Sequence, residues 1–144
     1  MTMSRESIAA ALFALASSTA GFVTTSRRLK HWSDVSAEDQ PALFQSQGNE
    51  SIDTAIQKMG GPNTHKLAFK LYVYVHNTDP TVAPVSLLNP FLDAIEAKLT
   101  PTPGTKQTLG GLVQHAFISG AIETDEGVLG DQAVAIIPIE VLAV

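Results

Sequence analysis

The segment 65–76 alternates between two kinds of residue, and no other stretch constrains the fold as tightly. Leu67, Phe69, Leu71, Val73 and Val75 fall on one side of an extended chain, while Lys66, Lys70, Tyr72, Tyr74 and His76 fall on the other. Successive side chains of a strand point to opposite faces of its sheet, so a period of two describes a strand with one apolar face. Twelve residues is long for a strand, which places it across the centre of the sheet. Its second face carries two tyrosines, and a covering element is expected there.

Two helices are expected to pack on the apolar face. The first starts at Ser4, an N-cap residue, with Glu6 in the first turn where the helix dipole favours an anion. Ile8, Leu12 and Leu15 form its apolar stripe, and Gly21 suits a left-handed cap near its end. The second carries Leu87, Leu88, Phe91, Leu92, Ile95 and Leu99 on one stripe, with Asp93, Glu96 and Lys98 away from it. Pro90 is tolerated if it lies in the first turn, and Thr100 to Gly104 ends the helix.

Further strands are expected at 27–31, 42–46, 107–109, 113–122 and 131–141, the last two forming a hairpin. Its acidic turn holds Glu123, Asp125, Glu126 and Gly127, with Gly130 beyond. Residues 36–41 read as a turn before Pro41, residues 48–64 as a long loop, and Ser119-Gly120 as a strand irregularity. The order is α-β-β-β-α-β-β-β. It predicts an α+β fold, a mainly antiparallel mixed sheet with two helices packed on one face, in a single domain over 1–144.

Composition narrows the class. Hydrophobic residues at 44% and charged residues at 16% exclude a disordered chain and a coiled-coil rod. Nine basic against fourteen acidic residues leave a net charge of −5, which argues against gripping nucleic acid by phosphate neutralisation. With no Cys, disulfides, thiol nucleophiles and Cys-ligated metals are excluded. The apolar run 8–16 resembles a secretory signal, but Glu6 cancels Arg5 and the stripe is that of an ordinary helix. That run is too short to cross a bilayer, and the apolar tail 133–144 is interrupted by Glu140. The chain reads as soluble, with no membrane partner.

The sequence holds no catalytic constellation. His31, His65, His76 and His115 show no metal-site spacing, and His65 and His76 are roughly 36 Å apart along one strand. Glu123, Asp125, Glu126 and Asp131 offer oxygen ligands for a hard cation, yet solvated hairpins often carry acids and the spacing is not that of an EF-hand. Gly60-Gly61 and Gly110-Gly111 match no phosphate loop. Arg27, Arg28 and Lys30, beside Trp32, form the one basic cluster, which suits a contact to phosphate or to an acidic neighbouring subunit, or else a solvated strand edge. No cofactor is expected, and binding is favoured over catalysis.

Several runs carry a resemblance. Ser7, Ile8 and Phe13 open it, with Gly21-Phe22-Val23, Arg28 with Trp32-Ser33-Asp34-Val35, and Gln40-Pro41-Ala42-Leu43-Phe44. Leu71-Tyr72-Val73-Tyr74 and Leu88-Asn89-Pro90-Phe91-Leu92-Asp93-Ala94-Ile95-Glu96 follow, then Gln107-Thr108-Leu109-Gly110-Gly111-Leu112-Val113 and the stretch 123–139. Over about 4–141 the chain resembles the tail terminator, or tail completion, proteins of long-tailed bacteriophages. The resemblance implies an α+β domain that forms a homo-oligomeric ring, usually a hexamer, at the head-proximal end of the tail tube. It implies contacts with the major tail tube protein and with neck or head-completion proteins, DNA passing through without specific binding, and a place in the virion after assembly in the host cytoplasm. It carries no catalytic residues, and it is weakest at 48–64, where no contact is transferred.

A subunit interface is expected to pair Arg27, Arg28 and Lys30 of one copy with Glu123, Asp125, Glu126 and Asp131 of the next. Carboxylates in the channel would repel phosphate and let DNA slide. The alternatives are a neck or head-completion connector ring and, from another class, a small metal- or ligand-binding enzyme using the acidic turn.

Overall fold

A computed structural model of the chain describes residues 3–100, 102–126 and 130–144. Ser4 opens α1 (Arg5–Ser17) as expected, its Oγ accepting the N–H of Ser7 at 3.2 Å. Ile8, Ala9, Leu12 and Ala16 are buried beneath it. The chain then turns at Gly21 with φ +104, where an added Cβ would lie 3.2 Å from the Phe91 ring. Glycine is therefore needed there for both backbone and space.

Next come β1 (Thr24–Ser26), two short 3-10 turns (Trp32–Asp34 and Ala37–Asp39), β2 (Ala42–Asp53) and β3 (Thr64–His76). Beyond α2 (Val85–Leu99) lie β4 (His115–Ile118), β5 (Glu123–Glu126) and β6 (Gln132–Ala143). The sheet order is β1-β2-β3-β6-β4, with β5 also paired to β6. Among the described residues, only the β1–β2 pair is parallel. This is the expected α+β fold, a mainly antiparallel mixed sheet.

β3 is the central strand, paired from His65↔Ala143 to His76↔Gln132 on one side and from Ala42↔Tyr74 to Asp53↔Thr64 on the other. Leu67, Phe69, Leu71, Val73 and Val75 are buried in one core with Ile8, Leu12, Leu88, Ile95, Leu99, Ile137, Ile139 and Val141. Both helices thus cover one face. Phe22 stacks on Phe91 with centroids 4.5 Å apart, tying the exit from α1 to α2.

Several local expectations are corrected. The first strand is Thr24–Ser26, and residues 27–31 leave the sheet to cross its second face. Residues 48–53 continue β2, so the loop shrinks to 54–63. Residues 107–109 form no strand, because the chain turns through Leu109 at φ +52 and two glycines also at positive φ. The strand expected at 113–122 is broken after Ile118, where Gly120 takes φ +92, and resumes as β5. The acids expected in a turn therefore stand on a strand, while Gly127 lies outside the described residues. In α2, Pro90 is in the second turn and Leu87 is exposed, because the core-facing stripe runs through Leu88, Ile95 and Leu99.

Candidate functional site

The second face of the sheet carries the site. Register aligns Phe44 with Tyr72 and Ile136, and Ala42 with Tyr74 and Val134. Phe44 and Tyr74 pack with ring centroids 5.5 Å apart. The segment leaving β1 lays Trp32 and Val35 on this aromatic floor, forming a second small core. Tyr74 Oη donates to the Lys30 carbonyl at 2.7 Å, and Gln40 Nε2 donates to the Val35 carbonyl at 3.1 Å. Burial, reinforced by Tyr72 alongside, pushes the Tyr74 phenol up to about 12, so it stays a donor at any ordinary pH. This segment is the cover that the two tyrosines called for.

The cover is incomplete. Between it and β5 lies a cleft of about 620 Å³, within the usual range for a binding site. Leu29, His31 and Trp32 form one wall, Tyr72, Tyr74, Val134 and Ile136 the floor, and Glu123, Thr124 and Asp125 the other wall. An aromatic floor beside a carboxylate rim suits an apolar group that carries positive charge.

The seven residues expected at an interface are divided among different tasks. Arg27 makes a two-pronged ion pair with Glu6 of α1, at 2.5 and 3.0 Å. That pairing raises the Arg27 pKa and lowers that of Glu6. Arg28 and Lys30 are exposed and make no ion pair among the described residues. Glu123 and Asp125 stand on the cleft wall, whereas Glu126 accepts the backbone N–H of Val85 at 2.6 Å. Asp131 is exposed, and its backbone carbonyl accepts the Asn77 N–H at 2.9 Å. Among the described residues, no group of three or more His, Cys, Asp or Glu side chains is placed to hold a metal ion. No described helix is long and apolar enough to cross a membrane.

Two features escape a reading of the sequence. Glu50 accepts from Arg5 Nε at 2.7 Å and Nη2 at 2.8 Å, and lies 2.8 Å from His65 Nδ1. A carboxylate only accepts, so His65 carries its proton on Nδ1. These bonds, that from Arg5 foremost, hold the Glu50 carboxyl down to about 2. The partners are 45 and 15 residues away, and no local motif announces them.

The second is the tip of the β2–β3 hairpin, where Ile52, Ile56 and Met59 are all exposed, Met59 at 88%. A polar segment with scattered apolar residues shows no period, so only the fold reveals that they share one end of the molecule. Against known proteins, no family model matches the chain and no curated protein matches it.

Proposed function

We propose that this chain is a structural virion protein that forms a hexameric ring at the head-proximal end of a bacteriophage tail tube. There it ends tube polymerisation and offers the surface to which the neck of the filled head joins. The observation that carries the reading is the placing of two unlike surfaces, the aromatic cleft and the exposed apolar hairpin tip, at opposite ends of one sheet. Thr64 and Tyr74 mark these ends on β3, roughly 33 Å apart at the rise of an extended strand. Unlike surfaces at opposite ends favour head-to-tail contacts, which close into a ring when the rotation per subunit allows it. The resemblance over 4–141 supplies the rest of the reading, including the tube protein and the neck proteins as partners. A net charge of −5 agrees with a channel that lets DNA pass without holding it.

The test is to add the protein to polymerising tail tube protein and follow tube length by electron microscopy. Tubes that stop growing and carry a ring at one end support the reading, while unchanged growth with bare ends refutes it. Rings that bind the neck and leave tube growth untouched would assign the chain to a head-completion connector instead.

A further inference from the structure

We infer that the hairpin tip of one copy seats in the aromatic cleft of the next, with Met59 against Tyr72 and Ile136 of the floor and Lys58 against Glu123 and Asp125. The inference deepens the ring reading by naming its contact. Met59 is the most exposed large apolar side chain among the described residues, at 88%, and Ile56 stands exposed beside it. Exposed apolar groups clustered at one end of a molecule mark an interaction surface. Methionine is adaptable, and its thioether favours aromatic rings such as those on the cleft floor.

Charge agrees with shape. Lys58 lies next to Met59 on the tip, and the wall it would meet holds two exposed carboxylates. The tip is also ordered for presentation. Asp53 Oδ1 accepts the Ala55 N–H at 2.9 Å, and the Ile56 carbonyl accepts from Met59 and Gly61, both at 2.9 Å. A Cβ on Gly61 would collide with Ile56 Cγ2, so the turn closes tightly on that side chain. A preformed tip loses little freedom on docking.

The occupant is assigned to a second copy: the tip carries the apolar and cationic groups that the cleft suits, and tip and cleft lie at opposite ends of β3, where they cannot meet within one chain. The contact also replaces the pairing of basic segment to acidic strand. Arg27 and Glu126 are committed within the chain, and the segment carrying Arg28 and Lys30 borders the same cleft as Glu123 and Asp125.

The absence of Cys allows a clean test. A chain carrying both Met59→Cys and Leu29→Cys, the latter exposed on the cleft wall, should form a ladder of disulfide-linked multimers under mild oxidation. Mixed single variants should stop at dimers, and Met59→Cys with Ala97→Cys, on the exposed side of α2, should stay uncrosslinked. Met59→Asp should keep its fold by circular dichroism, weaken self-association by about tenfold or more, and abolish the concentration-dependent shift of emission from Trp32, the single Trp. Cross-linking no greater than in the Ala97 control would overturn the inference, as would a solution mass unchanged by Met59→Asp. Rings that persist in Met59→Asp would remove this contact and leave the ring reading standing. A full ladder from chains that fail to arrest tubes would keep the contact and remove the tail role.

Discussion

The phenol of Tyr74 donates to the backbone carbonyl of Lys30 across 2.7 Å, and this bond fastens the cleft wall to the central strand. Tyr74→Phe removes the donor and leaves the carbonyl to water at an exposed residue. The expected cost is about 1 kcal/mol in urea denaturation. Trp32, anchored on the same segment, should shift its emission to the red. Unchanged emission would show that packing alone holds the wall.

Glu50 should govern the acid limb of stability. Its folded pKa, about 2, lies below the ordinary 4.5, so its stabilisation is fully present above the higher value and is lost as pH falls toward the lower. The Arg5 side chain is 50% exposed, and solvent screening reduces the net effect to about 1 kcal/mol. Glu50→Gln should lose that amount at pH 7 and show a flatter decline between about pH 4.5 and 2 in thermal melts. An acid limb parallel to that of the parent chain would contradict the assignment.

Glu126 caps α2 from outside the helix. The N-cap position is Pro84, which offers no side-chain acceptor, and the Glu126 carboxylate takes the first free N–H, that of Val85. Glu126→Ala should cost about 1 kcal/mol in urea denaturation. Because Glu126 serves the helix rather than the cleft, the same variant should leave solution mass unchanged. A change in assembly would place Glu126 at the interface after all.

Gly21→Ala should be among the costliest small substitutions outside the core. It forces a side chain into φ +104 and sets the new methyl 3.2 Å from the Phe91 ring. The expected loss exceeds about 1 kcal/mol, with the Phe22–Phe91 stack disturbed. A melting temperature equal to that of the parent chain would mean that the turn relaxes freely.

The sequence made the centre of the fold legible and hid its margins. Strict alternation over β3 announced both the helix-covered core and a need to cover Tyr72 and Tyr74. Ser4 marked a helix start because its hydroxyl does one local job. The outer half of β2 gave no such signal, since 47–49 and 51–53 are exposed and, among the described residues, β3 is its one strand neighbour beyond Phe44. Its bulge sets Gly48 and Asn49 against Ala68 alone, so Glu50 rather than Asn49 aligns with Leu67 and reaches Arg5 on the helix side. A strand three residues long, like β1, is too short to show a period. The cleft draws on four separated segments, and only the register of β3 with β6 brings its two walls together.

Self-association is the central claim, and the solution mass tests it most directly. Light scattering from micromolar to high concentration, with negative-stain images of the same samples, should show six-fold rings whose mass is a multiple of the 15.2 kDa chain. A mass that never exceeds that of a closed two-fold dimer would contradict head-to-tail assembly and the tail role built on it.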